Sequence, residues 1–386
     1  MKKIILTALS LAIVLTPAFA EDKKEAKQAA KKQKPMIEVC FVLDTTGSMG
    51  GLIAGAKEKI WSMANEMISA KPTPEIRIGL IGYRDKTDAY VTKVYPLSND
   101  IDDIYAKLMA FKAQGGGDTP ESVNQALNEG VTKMEWSKSR DVLKVIFLVG
   151  DAPPHMDYKQ DVKYTDSCKL AMKKDIIVNT IQCGNMASTT PIWQEIARKA
   201  EGKFARILQS GGVIAIATPF DKEIAAHNAR LGRTVTVYGD ARMQRFAASK
   251  NALALSAPAA ASADRLEYLS KAKVKDAKAA EVISGGGDLT DLLANDKLKL
   301  ADIEEKKLPE NVRKMNKKDR EAYLTKQVEE RKKLQTELNA LLKKRSTFII
   351  TKKAELKKAG KGDGFDDKVG GFIREQAAKK GFRYEK

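Results

Sequence analysis

The sequence predicts an α/β protein: a doubly wound, mostly parallel sheet flanked by helices, followed by an α-helical extension built around one long helix. Three observations predict it. Val39 to Leu43 and Val145 to Val149 are continuous apolar runs, too unbroken for a strand with one wet face and suited to strands buried on both. Segments with helical spacing separate these and the other β-like runs, and parallel neighbours require such crossovers. From Asn316 to about Ala359 neither Gly nor Pro interrupts a helical pattern.

Taken in order, residues 1–20 carry Lys2 and Lys3, an apolar run from Ile4 to Leu15, and Ala18-Phe19-Ala20. This is the pattern of a secretory signal peptide cleaved after Ala20, and the run is too short to span a bilayer. The mature chain is therefore expected to be periplasmic or secreted, with no transmembrane segment. Residues 21–35, rich in Lys, Ala and Gln, read as a disordered basic spacer. The globular domain is expected over 36–232. Its first strand ends at Asp44, and a helix with Ile53, Ile60, Met63 and Met67 on one face ends before Pro72. Ile76 to Tyr83 reads as the second strand. Tyr90 to Leu97 alternates into a third, made antiparallel by its short connection.

Asn99 or Asp100 caps a helix to about Phe111, and the turn Gly115-Gly116-Gly117-Asp118-Thr119-Pro120-Glu121 follows. Ser122 to Met134 reads as helix and Val142 to Val149 as the fourth strand. Further helices are expected over 161–173, 191–200 and 219–231, with strands over 176–183 and 204–208. Residues 233–315 read as an edge strand, Thr234 to Tyr238, then an Ala-rich helical region that includes 271–282 and is broken at Ser284 to Asp288. Residues 316–386 read as the long basic helix and a tail. At 1.5 Å per residue that helix reaches about 65 Å. Its stripe, Leu324, Val328, Leu334, Leu338, Leu341 and Phe348, is interrupted by Arg331 and Arg345 and needs a partner along its seam. Packing back on the Ala-rich helices is favoured, with self-association and an external partner left open.

Chemistry concentrates where the first strand ends. In open α/β sheets ligands sit beyond the carboxyl ends of the strands. There Asp44, Thr46 and Ser48 alternate along an extended turn, so one carboxylate and two hydroxyls face the same side. Such donors suit Mg²⁺ or Mn²⁺ rather than Zn²⁺. Asp-x-Thr-x-Ser in this place resembles the opening motif of the von Willebrand factor type A domain, whose metal-ion-dependent adhesion site reads Asp-x-Ser-x-Ser. The resemblance covers about residues 36–232, and several stretches, with the extension, look like bacterial exported proteins of this type. It implies a Thr from a second loop and an Asp from a third, for which Thr119 and Asp151 are the candidates. It further implies that Thr46, Ser48 and Thr119 bind the metal directly while Asp44 and Asp151 act through water. A partner's acidic side chain then completes the coordination. Arg84, Asp85, Asp118 and His155 are expected on the rim that meets the partner, with Arg84 and Asp85 paired to each other.

Enzymatic readings fit less well. A haloacid-dehalogenase-like phosphatase needs a second Asp where Thr46 stands, and a hydroxyl does not transfer protons near neutral pH. Ser48 and His155 lack a Gly-x-Ser-x-Gly elbow, and Gly115 to Thr119 lacks the ending of a phosphate loop. The expectation is a non-enzymatic, metal-dependent binding module. The formal net charge of +18 supports an alternative, a basic envelope scaffold that binds anionic polymers while its metal site is structural. Nucleic acid is disfavoured, because no recognition motif accompanies the charge. Three cysteines offer no well-placed bridge, and two histidines exclude a His-rich zinc site.

Overall fold

A computed structural model describes residues 35–212, 214, 216–273, 287–360 and 364–384. The expected signal peptide, nearly all of the spacer, residues 274–282 of the expected 271–282 helix and the Ser284 to Gly286 breaker lie outside the described residues. Six strands form one sheet: β1 (Met36–Asp44), β2 (Glu75–Tyr83), β3 (Thr92–Ser98), β4 (Leu143–Gly150), β5 (Ile176–Cys183) and β6 (Phe204–Ile207), in the order β3-β2-β1-β4-β5-β6. Every pairing is parallel except β2 with β3, which forms the antiparallel edge. β1 and β4 lie side by side, with Leu43 opposite Val149, and the connections leave them toward opposite edges. That reversal opens a crevice at their carboxyl ends.

The pleat sends alternate residues to two cores. Ile37, Val39, Phe41 and Leu43 face α1 (Gly50–Ile68) and α2 (Ile101–Met109), whereas Cys40 and Val42 face α3 (Val123–Thr132), α4 (Tyr164–Lys173) and α5 (Thr189–Lys199). The three cysteines are buried and free. After β6 come α6 (Asp221–Arg233), α7 (Ala241–Ser256), α8 (Ala259–Lys273), α9 (Leu289–Ala294), the long α10 (Lys317–Lys358) and α11 (Phe365–Lys379). Asn316 caps α10, its side chain accepting from the Asp319 N–H.

Two expectations about the extension are corrected. Thr234 to Tyr238 joins no sheet; it makes one bridge, Val237 with Asp288, because Thr234 and Thr236 are spent on hydrogen bonds to the α9 region. The extension is also not a separate unit appended at residue 233. Phe365, Val369, Ile373 and Ala377 of α11 are buried in the same core as Phe41 and Phe147, so the last helix completes the sheet's covering. Gln376 and Asn179 of β5 exchange two buried amide hydrogen bonds. The α10 seam meets its own chain: Leu334, Leu338, Leu341 and Leu342 pack with Ile224, Leu231, Ala263 and Leu266. No helix among the described residues is long and apolar enough to cross a membrane.

Candidate metal centre

The turn after β1 places its side chains by local hydrogen bonding. Asp44 is fully buried, and its Oδ1 accepts from the Thr46 N–H at 2.9 Å and the Thr46 hydroxyl at 2.6 Å. Thr46 Oγ1 lies 3.3 Å from Ser48 Oγ, and Ser48 is exposed. Asp151, one residue beyond β4, completes the cluster across the crevice. Its Oδ2 accepts from Gln209 Nε2 at 2.7 Å. Gly150 permits this approach, since a Cβ there would sit 2.4 Å from the Tyr83 hydroxyl and 3.0 Å from the Asp44 Cβ. The second loop closes over the turn: Gly47 N–H donates to Gly115 O, and Gly116, at φ +80°, packs against Thr46 where a side chain would crowd it.

Too many carboxylates share this space to be charged together. Burial raises the Asp44 pKa to about 7, Thr46's hydrogen bonds oppose the rise, and the Asp151 carboxyl adds to it. Glu121 is raised further, to about 9, by burial and then by Asp44, Asp85, Asp88 and Asp151. Asp44 Oδ2 and Glu121 Oε2 are buried without any hydrogen-bond partner among the described residues. Buried carboxyl oxygens without donors, beside two hydroxyls and a second Asp, are the donor set a hard divalent cation requires. The residues therefore fit such an ion.

Of the expected ligands, Asp44, Thr46 and Ser48 come together directly, and Asp151 joins them through Asp44. Thr119 lies exposed in the same loop, and its hydroxyl makes no hydrogen bond among the described residues. The expected rim is corrected: Arg84, Asp85 and His155 are buried, and only Asp118 is exposed. Nor do Arg84 and Asp85 pair with each other. Adjacent residues leaving a strand project to opposite sides. Arg84 donates to the Thr45 and Lys112 carbonyls and stacks over Tyr90, while Asp85 accepts from Ser122 and Tyr158 hydroxyls. Sequence reasoning left Glu121 unassigned and missed Gln209. The acid two residues after Thr119 was a signal for the first; nothing local marks Gln209, which only the turn after β6 brings to Asp151.

Residues 38–218 match the family model described as von Willebrand factor A domain. An ariadne-like RING finger protein of Acanthamoeba polyphaga mimivirus, a provisional designation, is 30% identical over 123 residues. That match takes in 31% of this chain and spans only 11% of the relative's length. Among solved structures, the SpRpn10 VWA domain is similar at 13% identity and TM-score 0.35, covering 46% of this chain and 89% of that one. Proximal thread matrix protein 1 from the mussel byssus, with a zinc-occupied MIDAS motif, is similar at 15% identity and TM-score 0.35, over 46% of this chain and 42% of its own.

Proposed function

We propose that this protein is a metal-dependent binding module that captures an acidic partner through Mg²⁺ or Mn²⁺ held by Asp44, Thr46, Ser48, Thr119 and Asp151. The observation that carries the reading is the buried Asp44 carboxyl, with one oxygen occupied by Thr46 and the other without a donor, facing Asp151 across the crevice. Thr46 and Ser48 supply neutral oxygens, so a bound cation keeps most of its charge for an incoming carboxylate. Ser48 and Thr119, both exposed, leave that approach open. Asp151 is held by Gln209.

The N-terminal pattern supports export with cleavage after Ala20, to the periplasm or the exterior. N-terminal sequencing of the fractionated protein should begin at Glu21; retention of Met1 in the cytoplasm would overturn it. Binding to an immobilised Glu-rich peptide tests the main reading. Binding should vanish in EDTA and in Asp44→Ala and persist at high salt. The excess of basic residues favours one rival, charge-driven binding of anionic polymers, which would survive EDTA and weaken steeply with salt.

A further inference from the structure

We propose that Asp85, Asp118 and His155 form a second cation site, separate from the centre at Asp44, and that it takes a borderline first-row divalent ion such as Zn²⁺. One ligand atom from each of the three residues lies within 4.8 Å of the others. His155 is the residue that points to a ligand. It is 94% buried, being 6% exposed, and its Nδ1 lies 2.8 Å from Asp157 Oδ1. A carboxylate only accepts, so in the neutral ring the proton sits on Nδ1 and Nε2 presents a lone pair. That nitrogen has no hydrogen-bond partner among the described residues. It faces Asp85 Oδ1 at 3.7 Å, too far for a hydrogen bond. Two electron-pair donors thus converge on one interior spot, which a cation would reconcile.

The support around His155 is that of a ligand. Asp157 orients the ring from behind, the usual arrangement for a metal-binding imidazole. Tyr158 stacks on the ring with centroids 4.0 Å apart and also donates to Asp85. The backbone is stitched on both sides: His155 N–H donates to Glu121 O, and Asn124 donates to His155 O. Zn²⁺ bonds of about 2.0 Å in a tetrahedron set ligand atoms about 3.3 Å apart. Asp85 and His155 are already near that spacing, and the exposed Asp118 side chain is free to close the remainder. One imidazole and two carboxylates favour Zn²⁺ over Mg²⁺, which prefers oxygen alone.

The test is isothermal titration of Zn²⁺ into the untagged full chain with Mg²⁺ saturating. Wild type should bind one equivalent. Asp118→Asn, exposed and harmless to folding, should weaken binding at least tenfold, and His155→Asn should abolish it. Asp157→Asn should weaken it about 10- to 100-fold. Asp44→Ala, which leaves Asp85, Asp118 and His155 in place, and His227→Asn should bind Zn²⁺ as wild type does. Absence of Zn²⁺ binding by wild type, binding unchanged in Asp118→Asn, or binding lost in Asp44→Ala or His227→Asn would each overturn the proposal.

Discussion

Asp44 sets the terms for its neighbours. Its carboxyl is buried, half-satisfied and opposed by Asp151, so the folded chain holds a proton there up to about pH 7. The unfolded chain releases that proton near 3.8. Between these values the folded state binds more protons, so metal-free stability must fall as pH rises. Glu121 extends the same slope from 4.5 toward about 9. In EDTA, the melting temperature should therefore decrease from pH 5 to pH 8, with Asp44 accounting for a loss of stability on the order of 3 kcal/mol at most over that range. Asp44→Asn should flatten the slope, and saturating Mg²⁺ should reverse it; a melting temperature that rises with pH in EDTA would refute the account. At this scale the sequence was informative where spacing is local. Asp44, Thr46 and Ser48 lie within five residues, and a two-residue period along one turn suffices to bring them together. Gln209 and the burial of Arg84, Asp85 and His155 depend on how distant loops fold over one another, and no local pattern encodes that.

The elements of the sheet were legible because each strand carries its own burial signature. Those of the extension were less so. Arg331 and Arg345, which interrupt the apolar stripe of α10, are buried on its seam. Each meets acids from elsewhere in the chain: Arg331 with Asp288 and Asp291, Arg345 with Asp221 and Asp264. The stripe is continuous in space, with two ion-paired guanidiniums filling positions that composition alone assigns to solvent. Thr234 to Tyr238 failed as a strand for the related reason that its polar groups are taken up elsewhere: Thr290 of α9 donates to the Thr234 carbonyl and the Thr236 hydroxyl, and the Thr234 hydroxyl accepts from Arg331 of α10. Removing one partner of a buried pair leaves the other charge uncompensated. Arg345→Ala should accordingly lower the unfolding free energy by about 3–5 kcal/mol in urea denaturation. A change below about 0.5 kcal/mol, the usual size for an exposed position, would show that this ion pair does not hold α10.

Across the whole molecule the chain returns to its beginning. Phe365, Val369 and Ile373 are 0% exposed against the β1 face, so the domain that starts at Met36 is closed by residues more than 300 positions later. Sequence reasoning divided the chain at 232 because alternation of strands and helices stops there. The residues of α11 read as a tail in the sequence, because their destination depends on an uncovered patch of sheet. Truncation at Gly360 should expose Phe41 and Phe147 and give a chain that aggregates or melts without a cooperative transition. Phe365→Ala, a milder change, should cost about 3–5 kcal/mol by chemical denaturation. A truncated chain that melts as sharply as the full protein would restore the separate-domain view. The cation at the carboxyl end of β1 is the centre of the functional account, and calorimetric titration of Mg²⁺ into the full chain, alone and with excess Glu-rich peptide, measures it directly. The account predicts saturable binding that the peptide tightens and that Asp44→Ala abolishes; no binding even with peptide, or equal binding in Asp44→Ala, would contradict it.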